Sequence, residues 1–216
     1  MAHIPDGVLS TPVLVVGALV AVAGTARGLR TLEPERIPQV AVLSAAFFVA
    51  SLVHFTVGPS SVHLLLTGLT GIILGWAAFP AMLVGLFLQA ILFGFGGLIS
   101  LGANVMNMAV PAVVCGGLFR LIAPRGPRTA VVAATVLGGL GVLLTALFVA
   151  ADLFASGREF LPAAKLLVFA HLPVAAIEAV FSGAAISVLI RARPDILGLP
   201  ADFAAPRGPV PEEAHG

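Results

Sequence analysis

Side chains able to bind a metal ion occur at three separate places in a chain that has few polar residues. His3 and Asp6 lie in the first ten residues, His63 opens one long apolar segment, and Asn104 and Asn107 open another. Imidazole is a good ligand for nickel, copper and zinc, whereas carboxylates and amides often orient such ligands from the second coordination sphere. A single histidine at a membrane boundary is ordinary, so the metal hypothesis depends on whether these segments meet.

The N-terminus itself can supply further nitrogen ligands. Because Ala2 is small, we expect Met1 to be removed; the α-amine of Ala2, the amide nitrogen of His3 and its imidazole Nδ1 would then chelate one metal ion. These three nitrogens lie nearly in a plane, and the imidazole of His63 would complete a square typical of Ni(II) or Cu(II), which Co(II) tolerates. If Met1 is retained, the amine, two amides and the His3 imidazole fill the plane without His63. Both alternatives stay open from these residues alone.

The composition indicates a membrane protein. Of 216 residues, 59% are hydrophobic and only 10% are charged, and the mean hydropathy is +1.11. A soluble domain carries about 25% charged residues, so most of this chain must face lipid or other buried helices. This excludes most soluble enzymes and secreted scaffolds. The net charge of +1 gives no reason to expect nucleic acid, and a single cysteine excludes a disulfide framework or a cysteine-based zinc site.

Apolar runs of about 20 residues, the length that spans a bilayer, divide the chain. The sequence predicts an all-α polytopic membrane protein with about seven transmembrane helices, and a Gly-rich loop at 96–103 that dips into the protein. Residues 1–193 would form one transmembrane domain with a metal-binding N-terminal arm, and the proline-rich residues 194–216 a disordered cytoplasmic tail. The predicted helices cover residues 9–26, 37–55, 61–78, 80–95, 104–123, 129–151 and 162–190.

The distribution of basic residues predicts the orientation. With seven spans, nine of the 11 Lys and Arg residues fall on one side and only Arg158 and Lys165 on the other. Since cytoplasmic loops carry the excess of positive charge, the N-terminus lies outside and the C-terminus in the cytoplasm. The first ten residues contain no Lys or Arg and thus lack the charged region of a secretory signal, so we expect this segment to be retained.

This topology brings the polar segments together at the outer face. His63 would be the third residue of its helix, about one turn below the surface, and polar groups within membrane spans usually face the protein interior. Simpler roles also exist, because Asp6 can shape the Pro5-Asp6-Gly7 turn and Asn104 can cap the fifth helix. Four residues are the candidates for orienting the metal ligands: Asp6, Ser61, Asn104 and Asn107.

Four sequence blocks, considered together, resemble the CbiM/NikM family. They are HIPDGVLS at residues 3–10, SVHLL at 61–65, GANVMNM at 102–108 and HLPVAAIE at 171–178. Members of this family capture the substrate of energy-coupling-factor transporters for cobalt or nickel. The resemblance implies that Ala2, His3 and His63 bind the metal. The family typically opens Met-His, whereas this chain opens Met-Ala-His, and removal of Met1 would restore the family spacing.

The resemblance also implies a setting and partners. The chain would import Co²⁺ or Ni²⁺, for cobalamin biosynthesis or nickel uptake, across a prokaryotic inner membrane, with no cofactor beyond the transported ion. Its partners would be a transmembrane coupling subunit, two cytoplasmic ATPases and a small auxiliary membrane subunit, within the lipid bilayer. The chain itself would not be an enzyme. It has no Gly-x-x-x-x-Gly-Lys-Ser/Thr motif for binding phosphates, which agrees with ATP hydrolysis elsewhere.

His171 and Glu178 are the remaining ionisable candidates. His171 lies about 14 Å along the seventh predicted helix, and Glu178 shares its face. They would either report occupancy of the metal site to the coupling subunit or form a buried polar pair that locks this helix in place. An alternative function is a proton-coupled secondary metal carrier that uses both residues. Another is a coupling-factor subunit for an organic vitamin, although one Trp and no Tyr disfavour an aromatic pocket. An intramembrane hydrolase would need a His-Glu-x-x-His motif or similar, and none is present.

Overall fold

The computed structural model describes residues 3–57 and 60–203; for residues 54–57 and 60–62 it describes the backbone only. Within these residues the chain forms seven α-helices and one two-stranded antiparallel hairpin. The hairpin strands are β1 (His54–Val57) and β2 (Ser60–His63). The helices are α1 (Thr11–Arg30), α2 (Ile37–Ala50), α3 (Thr67–Leu74), α4 (Ala78–Phe93), α5 (Leu101–Ile122), α6 (Pro127–Ser156) and α7 (Leu161–Ala192).

Five stretches in this part of the chain are long and apolar enough to cross a membrane. They correspond to α1, to α3 and α4 counted together, and to α5, α6 and α7 with their flanking turns. Helix α2 has 14 residues and is therefore only about 21 Å long, shorter than the hydrocarbon core of about 30 Å. The predicted class, a helical polytopic membrane protein, is confirmed.

Proline and glycine mark many of the helix ends. Proline occupies one of the first two positions of α1, α2, α6 and α7, where its missing N–H has no helical partner in any case. Helix α4 ends at Phe93 and is followed by Gly94, which adopts a left-handed conformation with a φ of 67°. The ends predicted for α1, α6 and α7 from charges and prolines lie within five residues of those observed.

Helix α3 lies at the centre of the bundle, and all eight of its residues are buried. It packs against α5 and α6 through backbone contacts that only glycine allows. A Cβ atom on Gly71 would overlap the backbone of Ala112 in α5, and one on Gly68 would lie 2.7 Å from the Cα of Gly138 in α6. Because α3 is enclosed by other helices, it can be short without exposing polar backbone to lipid.

The bundle has two chemically different ends. We call one the arm end; it contains the N-terminal arm (residues 3–10), the hairpin and the loop at 94–100, and there the Ser10 N–H donates to Ser156 Oγ at 3.0 Å. We call the other the arginine end. There Arg36 Nη2 donates to the Ile73 carbonyl at 2.9 Å and the Arg27 guanidinium lies 4.6 Å from the Trp76 ring centroid. Two further arginines, Arg128 and Arg191, line a shared surface pocket at this end.

The second and third predicted helices require correction. The helix expected over 37–55 ends at Ala50, and the helix expected from Ser61 begins at Thr67. Between them the chain forms the hairpin, in which His54 is opposite His63. The segment His54–Val57 contains an aromatic and two β-branched residues, types that favour strands. His63 therefore ends a strand and is not in the first turn of a helix.

Two other boundaries also differ from expectation. Helix α5 begins at Leu101, three residues before the predicted start, so the loop at this end covers residues 94–100. The tail predicted to be disordered from Pro194 instead begins with a short 3₁₀ helix, Pro194–Leu197. Leu197 and Leu199 are buried in the main hydrophobic core, because this part of the tail has enough apolar side chains to pack. Residues 204–216 lie outside the described part.

Candidate metal site

The N-terminal arm folds back onto the bundle and is held there at Ile4. The Ile4 N–H donates to Asn104 Oδ1 at 2.9 Å, and the Asn104 amide donates to the Ile4 carbonyl at 3.0 Å. The Ser100 hydroxyl also donates to this carbonyl, at 2.7 Å. The Ile4 side chain is buried in a small apolar cluster with Leu9 and Leu153. Both backbone polar groups of Ile4 are thus satisfied by α5 and the turn before it, which fixes the position of the arm.

Asp6 makes a second attachment between the arm and the same turn. Its carboxylate accepts a hydrogen bond from the Ser100 N–H at 2.8 Å. Burial by itself would raise the pKa of Asp6, but hydrogen bonds from Ser100 and from the backbone of Ile99 and Leu98 lower this pKa below its ordinary value of 3.8. Gly97 makes the approach feasible, since a Cβ there would overlap the carboxylate.

The arm brings His3 against His63, which lies 60 positions later in the chain. The two imidazole rings are stacked, with centroids 4.8 Å apart and planes 11° apart. Both residues are buried, with exposed fractions of 5% and 1%. The predicted meeting of these two histidines is therefore observed in the fold, which brings the two imidazoles into contact at the arm end.

The hydrogen bonds around the histidines limit which atoms can act as ligands. His63 Nδ1 lies 3.0 Å from the Leu64 carbonyl oxygen. Because a carbonyl only accepts, Nδ1 carries the proton and Nε2 carries the lone pair. The Ile4 amide is also excluded as a ligand, since its hydrogen points to Asn104. Any backbone chelation by the arm therefore involves the His3 amide and the residues before it.

The side chains of the described residues do not by themselves form a complete metal site. Among them there is no group of three or more His, Cys, Asp or Glu that could hold an ion. Two imidazoles are too few for a four-coordinate ion, so an ion bound there would need further ligands from other atoms. Ala2 and Met1 lie outside the described residues, and so does the side chain of Ser61.

Asn104 and Asn107 have different positions from those expected of a helix cap. Asn104 lies within α5, one turn after Ser100, and its side chain binds the arm instead of the helix end. Asn107 lies one turn further and donates to Asp152 Oδ2 of α6 at 2.8 Å. Asp152 was missed because the predicted sixth helix ended one residue before it. Its signal in the sequence is that of an acidic residue at the end of a long apolar run.

His171 and Glu178 are both buried in α7, with exposed fractions of 1% and 0%. Each is hydrogen-bonded to backbone groups: His171 within its own helix and Glu178 to another segment. His171 Nδ1 lies 2.7 Å from the Leu167 carbonyl, one turn earlier in the same helix. Glu178 Oε1 instead accepts hydrogen bonds from the backbone N–H groups of Leu65 and Leu66, the latter at 2.8 Å. Glu178 thus binds the segment that follows His63.

Comparisons with known proteins agree with this geometry. The family model described as the cobalt uptake substrate-specific transmembrane region, CbiM, matches residues 3–196. A Haemophilus influenzae protein whose name describes metal transport is 42% identical over 206 residues, covering 93% of this chain and 99% of that protein. The fused nickel transport protein NikMN of Rhodobacter capsulatus is 29% identical over 238 residues, covering 99% of this chain and 67% of that protein.

A solved structure has the same fold. The crystal structure of a truncated transition metal transporter superposes with a TM-score of 0.75 and 27% sequence identity, covering 88% of this chain and 99% of that one. The resemblance inferred from the four sequence blocks is therefore confirmed. The chain belongs to the CbiM family and is the substrate-specific transmembrane component of a cobalt/nickel uptake transporter, a transport subunit and not an enzyme.

Proposed function

We propose that this chain captures Co²⁺ or Ni²⁺ through a four-nitrogen site at the arm end. The ligands are the α-amine of Ala2, the amide nitrogen and imidazole Nδ1 of His3, and Nε2 of His63. The observation that carries the proposal is the stacking of the buried His3 and His63 rings, with centroids 4.8 Å apart. A planar set of four nitrogens suits Ni(II) and is tolerated by Co(II).

The residues around this site hold the arm in place for metal binding. Asn104 and Ser100 fix the Ile4 backbone, so the residues immediately before Ile4 are directed toward His63. Asp6 adds a charged hydrogen bond to the same turn. Asn107 ties α5 to α6 through its hydrogen bond to Asp152. Ser61, in β2, completes the proposed set of residues in the second coordination sphere. Such residues commonly tune affinity by 10- to 100-fold, as an order of magnitude.

The arm end faces the outside of a prokaryotic inner membrane, and the arginine end faces the cytoplasm. This orientation follows from the positive-inside rule, with nine basic residues on the cytoplasmic side and two on the other. Contacts of Ile73 and Gly75 with Arg36 and Arg120 support a reversal of the chain between α3 and α4 at the arginine end.

The chain associates with other subunits of a transporter. The Rhodobacter relative is a fused nickel transport protein, in which a CbiM-like region is joined to further sequence. The partners of the present chain are a transmembrane coupling subunit, two cytoplasmic ATPases and a small auxiliary membrane subunit. ATP hydrolysis by these ATPases drives release of the ion, since this chain has no phosphate-binding motif.

The proposal is tested by intact-mass and metal analysis of the purified chain. We expect a mass lacking Met1, with one equivalent of Co²⁺ or Ni²⁺ retained through gel filtration. His63→Ala should abolish tight retention while leaving the protein folded, and His215→Ala, which removes a tail imidazole, should not affect it. Unchanged retention in His63→Ala, or a retained Met1 with full metal content, would contradict the proposed ligand set.

A further inference from the structure

The segment between β2 and α3 has an unusual backbone. Leu66, which immediately precedes α3, has a φ of 50° and a ψ of 22° and is the one non-glycine residue with positive φ in the described ranges 3–57 and 60–203. Leucine adopts this left-handed conformation at a cost in free energy, so the conformation persists only where neighbouring groups hold it. Leu65 and Leu66 are both buried, so water does not solvate their N–H groups.

Glu178 supplies the groups that hold this segment. Its Oε1 accepts hydrogen bonds from the N–H of Leu65 and, at 2.8 Å, from the N–H of Leu66. These N–H groups precede the first turn of α3 and have no helical carbonyl to bind. Without Glu178 both donors would be buried and unsatisfied, which strongly disfavours the observed turn.

The same segment orients the candidate metal ligand. The Leu64 carbonyl, directly before the two amides held by Glu178, lies 3.0 Å from His63 Nδ1. This hydrogen bond fixes both the tautomer and the direction of the ring. A continuous series of contacts therefore runs from Glu178 in α7, through residues 64–66, to the imidazole that stacks on His3.

We propose that Glu178 is a positioning residue for metal capture, which holds residues 64–66 so that His63 presents Nε2 to the ion beside His3. It acts as a hydrogen-bond acceptor and does not touch the metal. This inference rests on the proposed function, in which His63 is a ligand. It assigns to Glu178 a role different from that of a proton relay or of a partner for His171.

The inference predicts a difference between three substitutions at one position. Glu178→Gln keeps a side-chain oxygen at the same distance and should retain Ni²⁺ affinity within about threefold, since the amide oxygen still accepts. Glu178→Asp keeps the charge but withdraws the acceptor by one methylene and should weaken Ni²⁺ binding about tenfold or more. Glu178→Ala should weaken it most, about 10- to 100-fold, because the binding-competent turn becomes a minor state.

The experiment measures Ni²⁺ affinity by calorimetry in the full-length protein and, separately, amide hydrogen exchange of Leu65 and Leu66 without metal. Exchange should accelerate in Glu178→Ala and Glu178→Asp but not in Glu178→Gln. Ser182→Ala, which removes another buried polar group one turn along α7, is the matched control and should change neither quantity. If Glu178→Ala does not fold, Glu178→Asp and Glu178→Gln still give the decisive comparison.

Two results would overturn the inference. One is that Glu178→Asp or Glu178→Ala shows the wild-type rate of amide exchange at Leu65 and Leu66 and the wild-type Ni²⁺ affinity. The other is loss of affinity in Glu178→Gln with unchanged exchange, which would mean that the charge acts on the metal. Failure of the proposed function gives a different pattern: His63→Ala would then retain the metal, although exchange at Leu65 and Leu66 would still respond to Glu178.

Discussion

The two ends of the bundle differ in how deeply most of their polar side chains are buried. At the arm end, buried side chains bind backbone groups far away in the sequence, as Asn104 does with Ile4 and Glu178 with Leu66. At the arginine end, Arg27, Arg120 and Arg191 are exposed. Buried hydrogen bonds between distant segments specify one geometry, whereas exposed charges mainly solvate a surface. The arm end is therefore the part of the bundle in which buried hydrogen bonds fix the relative positions of distant segments.

Between these ends the helices are joined by close backbone packing. A Cβ on Gly116 of α5 would overlap the Gly71 carbonyl of α3. Small residues allow such approach between membrane helices, where van der Waals packing replaces the hydrophobic effect as the source of stability. This middle layer supports both ends equally, so damage to it should not be specific to metal binding.

The largest effect is expected from Gly116→Ala in this middle layer. The added methyl group overlaps the Gly71 backbone, which cannot move as a flexible side chain would, so stability should fall by about 3 kcal/mol or more. Gly117→Ala is the neighbouring control, with no atom within 4 Å of the new Cβ, and should stabilise α5 by about 1 kcal/mol. Thermal unfolding in detergent measures both. Equal unfolding temperatures for the two variants would contradict the close contact of α3 with α5.

Asn104→Ala should give the next largest effect, and it should be specific to the metal. The variant removes both hydrogen bonds between Asn104 and Ile4 and leaves the buried Ile4 N–H unsatisfied, which costs about 1–3 kcal/mol and should weaken Ni²⁺ binding about tenfold or more. Ser44→Ala is the control, since it removes a buried hydrogen bond from Ser44 to Ala81 in α4, away from the arm. Equal Ni²⁺ affinity in the two variants would contradict the role of Asn104 in positioning the arm for metal binding.

Arg36→Gln tests the arginine end. It removes the 2.9 Å hydrogen bond to the Ile73 carbonyl and should lower stability by about 1 kcal/mol. Ni²⁺ affinity should stay at the wild-type value, because the change lies at the opposite end of α3 from His63. Calorimetry and thermal unfolding of the same preparation separate the two quantities. Weaker Ni²⁺ binding with unchanged stability would contradict the division between the ends.

The smallest effect is expected from the charge of Asp6, which is exposed. Because its hydrogen bonds lower the pKa below 3.8 in the folded protein, the ionised carboxylate stabilises arm docking at neutral pH. This contribution should be lost as the pH falls from 3.8 toward the lower folded pKa. Protection of the Ser100 amide against hydrogen exchange should decrease over that range in the wild type. Asp6→Asn should show weaker protection at neutral pH and little further change; an identical pH profile would contradict the role of the charge.

The parts of the fold that the sequence predicts are those with local markers. Charges and prolines delimit α1, α6 and α7, and the meeting of His3 with His63 follows from the placement of polar segments on one side. The hairpin was missed because its strands, HFTV and SSVH, directly adjoin the apolar runs of α2 and α3, so they were assigned to the ends of those helices. The short, buried α3 was misplaced for the same reason.

The contacts that organise the site were harder to predict because they join distant segments. The hydrogen bond from Leu66 to Glu178 spans 112 residues, and nothing in either local sequence identifies the other partner. The attachment of Asn104 to Ile4 spans 100 residues. From the sequence, Asn104 is also compatible with an ordinary role as the cap of α5. The composition indicates that such buried polar groups need hydrogen-bond partners. Which partner each group finds is determined only by the packing of α3, α5 and α7.

The most direct test of the account is a crystal structure of the mature chain with Ni²⁺ bound. The account predicts one ion with His3 Nδ1, the His3 amide nitrogen, the α-amine of Ala2 and His63 Nε2 all at about 2.0 Å, the usual distance for nitrogen ligands. An ion bound elsewhere, or one coordinated by the N-terminus while His63 Nε2 remains several ångströms away, would contradict it.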